Sequence, residues 1–271
     1  MARLIHILIL LLVIASCATQ KKAGVELPLE LKNRLFSTQA SFELLNSFND
    51  PLFAPLKKNK CINNWEEYVS ALNKKLRGTQ KNSERVLIWY ELGNCYNYVG
   101  EYKKAIYFYD LVLSVEKQND PMLSVITANI GLIYELKGLN ILAKSYYEKS
   151  ISHNGNNFLA KYLIALDHLR QGEFSLANPI LEELTQKLPK SRAVFSTLGV
   201  SFSLSGSSSE LKSKVFKFFN EKEEERVLFE IALKLFDGKQ TKDDLEDLKD
   251  LELKFPVLND YRNFLLNKFG S

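Results

Sequence analysis

Histidine and cysteine are both scarce here, three of each in 271 residues. That scarcity excludes most metal chemistry. His6 falls in an apolar leader, so His153 and His168 remain, and neither sits in the CxxC or HExxH spacing that gathers zinc ligands. No glycine-rich loop of the phosphate-cradling kind is present, and no Ser, His and Asp set assembles, which argues against nucleotide chemistry and nucleophilic hydrolysis. The expectation is no metal, no cofactor and no enzyme. Excess charge is missing too: 36 Lys and Arg against 32 Asp and Glu leave a net +4, short of the concentrated basic face that binds nucleic acid. The apolar run from Leu4 to Ala15 is too short for a comfortable membrane span.

What is present suits a folded chain with an ordinary soluble surface, at 46% hydrophobic and 25% charged residues. Its charge is graded along the sequence. Basic residues gather at Lys57, Lys58, Lys60, Lys74, Lys75, Arg77, Lys81 and Arg85, whereas Glu221 to Glu252 is mostly acidic. Such faces are either solvated helix surfaces or, at the basic end, a contact for anionic head groups or an acidic partner.

The organising signal is a repeat. Gly93, Gly131, Ala165 and Gly199 each stand seven residues before Gly100, Gly138, Gly172 and Gly206, and the last two steps are 34 residues (172 − 138 and 206 − 172). A period of that length marks a solenoid of stacked units, none of which can bury its apolar face alone. In the first copy Trp89, Leu92, Gly93, Tyr96, Gly100, Tyr102, Ala105 and Tyr109 fall where a tetratricopeptide repeat places W, L, G, Y, G, Y, A and F. The second supplies Ile130, Gly131, Tyr134, Gly138, Ala143 and Tyr147; the third supplies Ala165, Gly172, Phe174, Ala177, Leu181 and Pro189. The chain thus resembles the tetratricopeptide family, which implies an all-α, right-handed superhelical solenoid of antiparallel helix pairs. Small residues at 93, 131, 165, 105, 143 and 177 let backbones approach, with aromatics filling the space beside them. His168 takes the place of the first-helix tyrosine and reads as a packing residue.

Before the repeats, Arg3, the apolar run and small residues ahead of Cys17 have the layout of a secretory signal peptide over residues 1–16. Ile14, Ala15, Ser16 and Cys17 resemble the lipobox of bacterial lipoproteins, which implies acylation of Cys17. Ala18 rather than Asp then favours the outer membrane, facing the periplasm. Residues 17–28 read as the lipidated cysteine and a flexible tether. Residues 29–82 read as capping helices or a degenerate repeat: Leu31, Leu35, Phe36, Phe42, Leu45 and Phe48 keep helical spacing, Pro51 and Pro55 break it, and Trp65, Tyr68, Val69, Leu72 and Leu76 mark a second helix with Asn64 as its cap. Three units then occupy 83–189, two degenerate units 190–256 and a closing helix 257–271. Cys61 and Cys95 admit two readings, a disulfide in an oxidising envelope or a small buried thiol at Cys95.

The remaining candidate for function is the concave groove. The family's register places Tyr90, Asn94, Asn97, Tyr98, Asn129, Leu132, Glu135, Leu136, Tyr162, Leu166, Leu169 and Arg170 along it. Family members that clamp acidic C-termini use two asparagines and three cations. Asn94 and Asn129 match the asparagines, but Tyr90, Leu159 and Leu163 stand at the cationic places. An apolar, aromatic lining instead suits a helix or extended peptide. The expectation is a lipid-anchored scaffold binding an envelope protein or peptide. In layout it resembles tetratricopeptide lipoproteins of type IV pilus secretin assembly, with β-barrel assembly lipoproteins and peptidoglycan-hydrolase adaptors sharing that layout. An enzyme acting on an envelope polymer and a purely structural spacer are the readings from other classes. Oligomeric state is not legible in the sequence.

Overall fold

The computed structural model describes residues 28–36, 50–53, 61, 64–206, 209–221, 223–253 and 256–270. The signal peptide, Cys17 and its tether lie outside these, as do Phe42, Leu45 and Phe48. Among the described residues the chain is all-α: α1 (Leu29–Leu35), a 3-10 turn (Pro51–Phe53), α2 (Trp65–Gly78), α3 (Asn82–Tyr98), α4 (Tyr102–Val115), α5 (Asp120–Leu136), α6 (Asn140–His153), α7 (Phe158–Gln171), α8 (Phe174–Lys187), α9 (Arg192–Ser205), α10 (Ser209–Phe218), α11 (Glu224–Asp237), α12 (Lys242–Asp250) and α13 (Pro256–Phe269). From α3 onward the helices pair and stack as a solenoid consistent with the tetratricopeptide superhelix.

Local chemistry sets the ends of the helices. Asn119, Asn157 and Ser191 accept the backbone N–H of Met122, Ala160 and Val194 at 3.2, 3.1 and 3.3 Å, and Thr241 and Asp244 form a reciprocal capping box. Asn64 makes no such cap; its amide donates to Glu67 instead. The glycine ending the first helix of each unit sits at φ between +62° and +79°, a region that a side chain would strain.

The small-residue positions work by admitting rings. A Cβ built on Gly93 would lie 2.5 Å from Tyr109 Cε1, and one on Gly131 would lie 2.5 Å from Tyr147 Cε1. In the third unit the ring is replaced by Leu181 and the glycine by Ala165, both fully buried. The pairing is volumetric: the methyl enters where the aromatic leaves. Gly199 departs from the pattern, because the ring that a Cβ there would strike is Phe229 of the next unit, while the residue sixteen further on, where units one and two have tyrosine, is the buried Val215.

Helix α9 is buried along Ala193 to Leu204 without interruption. A helix apolar on all sides needs neighbours all round, and α9 packs on α8, α10 and α11 while Ser203 Oγ meets Tyr261 OH of α13 at 2.7 Å. Between α5 and α6, Ser124 and Ser150 exchange hydroxyl-to-carbonyl bonds of 2.8 and 2.7 Å, and Asn157 joins both hydroxyls. These bonds satisfy polar groups that a close helix approach would otherwise leave unpaired.

Cys61 and Cys95 are joined, with Cα atoms 5.4 Å apart, and both are fully buried beside Val69, Leu72, Ile88 and Leu92. Of the two readings of these cysteines, the structure has the bridge. It pins the chain ahead of α2 to the first repeat unit.

Candidate functional site

The concave face divides into two unlike halves. Toward the C-terminal half it is filled by the chain itself. Helix α1 packs on α7 and α13, and the 3-10 turn packs on α7. Leu35, Phe36 and Leu52, at 6%, 1% and 3% exposure, belong to the same buried cluster as Tyr162, Leu166 and Leu169. Three of the expected groove residues are therefore core. The correction has a plain cause: an apolar concave wall is a hydrophobic surface, and a nearby amphipathic stretch of the same chain covers it without the entropic cost of recruiting a second molecule.

Polar contacts fix the inserted segment. Asp50, 4% exposed, accepts the N–H of Ala193 at the start of α9 at 2.9 Å and that of Leu52 at 3.0 Å. A carboxylate is favoured at that position because the first-turn N–H groups of α9 lack helical partners. Arg170 donates to the carbonyl of Phe36 at 3.3 Å, to Asp167 at 3.3 Å and to Glu135. Glu135 also accepts from Tyr147 OH at 2.5 Å, and Lys144 and Gln171 reach Asp167 at 3.4 and 2.7 Å. Burial alone would lower the Arg170 pKa, but Glu135 and Asp167 outweigh it and hold the guanidinium charged. Burial, then the Glu135 carboxylate, pushes the Tyr147 phenol up. Glu135 and Arg170 were expected to face a partner, and they instead pair with each other, leaving the arginine to clasp the inserted segment.

The first two units present the other half. Tyr98 and Leu136 are each 51% exposed, and Tyr90, Asn94 and Asn97 are half-buried. Asn129 and Leu132 are buried, at 6% and 5%. Asn129 donates to Tyr109 OH at 3.1 Å and to Asn94 Oδ1 at 3.3 Å, while Tyr109 OH donates to the same Oδ1 at 2.9 Å. The two asparagines thus tie α3, α4 and α5 together. Asn94 and Asn129 keep their match to the clamp asparagines, but both amides bond Tyr109 inside the array, and Tyr90, Leu159 and Leu163 leave the cationic places empty of charge. Desolvation, opposed by the Asn129 bond, pushes the Tyr109 phenol up.

Sequence reasoning missed Phe36, Asp50 and Leu52 as groove residues. Phe36 and Leu35 carried the helical apolar spacing that announces a buried face, but periodicity does not say against which element it packs. Asp50 lies 143 residues from Ala193, and nothing local signals that meeting.

Among the described residues, no group of three His, Cys, Asp or Glu could hold a metal ion, and no helix is long and apolar enough to cross a membrane.

Comparison with known proteins agrees with this geometry. Residues 86–119 and 128–157 match the tetratricopeptide repeat profile, which covers the first two units, where the aromatic and small residues are most regular. No curated protein sequence matches the chain. Among solved structures, PilW, described as a widely conserved type IV pilus biogenesis factor, aligns over 86% of this chain and 98% of its own at 17% identity, with a TM-score of 0.52. A tetratricopeptide repeat protein from Parabacteroides merdae ATCC 43184 aligns over 88% of this chain and 100% of its own at 15% identity, with a TM-score of 0.42. The chain has a tetratricopeptide-repeat fold related to that of PilW.

Proposed function

We propose that this chain is a non-enzymatic scaffold whose open binding surface is the concave face of the first two units. The observation that carries the reading is the contrast between its halves: one is sealed by α1, the 3-10 turn and α13, and the other leaves Tyr98 and Leu136 in solvent beside Tyr90, Asn94 and Asn97. Tyrosines beside amides bind through large contact area and adaptable hydrogen bonds at small entropic cost. The occupant that fits is a helix or extended peptide of an envelope protein, with one or two apolar side chains seated between Tyr98 and Leu136.

The lipobox-like run ending at Cys17 supports an acyl anchor, and Ala18 supports the outer membrane as its location. Several acyl chains on one cysteine give durable attachment where a single chain would not, since each buried methylene contributes roughly 0.8 kcal/mol. Assembly of an envelope complex is the role we assign. Type IV pilus and secretin biogenesis is the first pathway to test, because a biogenesis factor of that system shares the fold.

The test is a paired pull-down from detergent-solubilised envelopes. Tyr98→Ala combined with Leu136→Ala should abolish recovery of the partner with the thermal midpoint unchanged, both side chains being exposed. Unaltered recovery would sink the groove reading.

A further inference from the structure

One edge of the solenoid carries exposed aliphatic side chains that neither the fold nor the groove uses. Leu139 and Leu142 are 49% and 40% exposed, Ile141 is 91% exposed, and Leu176 is 51% exposed. Leu142 and Leu176 are the same position in successive units, 34 residues apart like Gly138 and Gly172, so the four side chains line one edge, where the first helix of a unit turns into its second. Lys137 is exposed beside them.

Helix α1 approaches this edge at Lys32. Phe36 is clasped by Arg170 at the end of α7, and one turn earlier Lys32 Nζ lies 3.7 Å from where a Cβ on Gly172 would be, in the very turn that leads to Leu176. Helix α1, packed on α7 and α13, thus reaches the Gly172 turn with its Lys32 side chain. Its first residue, Leu29, is 70% exposed. Cys17 precedes Leu29 by twelve residues (29 − 17), which span at most about 40 Å when fully extended.

From this we propose that the Leu139–Ile141–Leu142–Leu176 edge, continued by Leu29, rests on the phospholipid bilayer surface. The inference rests on the acyl anchor proposed above for the source of proximity, and on exposure and chain course for the choice of edge. A tether that short holds the edge at high local concentration over the membrane. Aliphatic tips that enter the interface while a lysine stays at head-group level then fix the orientation that the tether alone leaves free. The opposite edge, where α2 turns into α3, is the competing candidate because Lys74, Lys75, Arg77, Lys81 and Arg85 gather there. Helices α3 and α5, of 17 residues each, separate the two edges by about 25 Å, so both cannot lie on one flat bilayer.

The experiment reconstitutes the full chain into vesicles of phosphatidylethanolamine and phosphatidylglycerol whose acyl chains carry bromine, a contact quencher of tryptophan. Ile141→Trp and Lys81→Trp are compared, with Trp65 and Trp89 of the parent as background; both positions are exposed, so folding is preserved and is checked by circular dichroism. The expected result is at least twofold quenching of the added signal in Ile141→Trp and none in Lys81→Trp. Equal quenching at the two positions, or quenching at Lys81→Trp alone, overturns the proposal. So does an Ile141→Asp variant that loses a co-purifying protein or shifts from dimer to monomer, since the edge would then be a protein contact. Fatty-acid labelling of Cys17 is scored in the same material with a Cys17→Ser control. Label without selective quenching refutes the edge and keeps the anchor, selective quenching without label does the reverse, and neither refutes both.

Discussion

Phe36 decides whether the N-terminal segment is part of the core or merely laid upon it. The ring is 1% exposed, within the cluster that includes Tyr162, Leu166 and Leu169. Burying an aromatic side chain removes roughly 150–250 Å² from water, worth about 4–6 kcal/mol at 25 cal/mol per Å². That is an upper bound, because unfolded chains already bury some of it, and Phe→Ala changes in cores cost about 3–5 kcal/mol. A loss of about 3 kcal/mol is expected for Phe36→Ala. With a urea slope near 3 kcal/mol/M for a chain of this size, the midpoint should fall by about 1 M. Urea titrations of the chain, followed by circular dichroism, measure it. Leu29→Ala, at 70% exposure, is the control and should not move. A shift for Phe36→Ala under about 0.3 M would mean that the segment separates before the array unfolds, and the sealed half of the groove would have to be counted as accessible.

Other consequences are open to measurement. Gly93→Ala should destabilise by about 1–3 kcal/mol despite alanine's better helix propensity, because its methyl meets the Tyr109 ring. Tyr109→Leu should recover part of that loss in a double-mutant cycle, as Ala165 and Leu181 coexist in the third unit; strict additivity would refute the volumetric pairing. Reducing the Cys61–Cys95 bridge, which closes a loop over a separation of 34 residues, should cost about 4 kcal/mol on the loop-entropy account, read as a lower thermal midpoint in reductant and no change in a Cys61→Ala/Cys95→Ala variant. Buried Tyr109, Tyr147 and Tyr261 have phenol pKa values raised by desolvation. Their folded values exceed the unfolded value near 10, so the stability they contribute is complete below that pH and is lost as pH rises above it. Phenolate absorbance from these three should appear only together with unfolding, and a gradual titration without unfolding would contradict it.

The helix pairs were legible because each unit writes its own contacts. Gly93 with Tyr109 and Gly131 with Tyr147 meet within about half a period, and the turn glycines mark the hairpins. Non-local meetings were not legible. The apolar spacing of Leu31, Leu35 and Phe36 announces a buried face and names no host. The Cys61–Cys95 bridge stayed one of two readings because spacing carries no distance. The extent of the groove was not legible: the family's register runs on through Tyr162, Leu166 and Leu169, where a concave wall in this chain is an interior.

The meeting of α13 and α1 on α9 and α7 breaks the nearest-neighbour rule by which repeat arrays tolerate gain and loss of modules. Between α7 and α13 no unit can be duplicated or excised without displacing a distant piece of the same polypeptide. The Cys61–Cys95 bridge extends that restriction to α3, because only eight residues (61 − 53) join the 3-10 turn on α7 to the cysteine held by α3, so a hairpin added between α3 and α7 would overstretch that span and rod length is fixed from both ends.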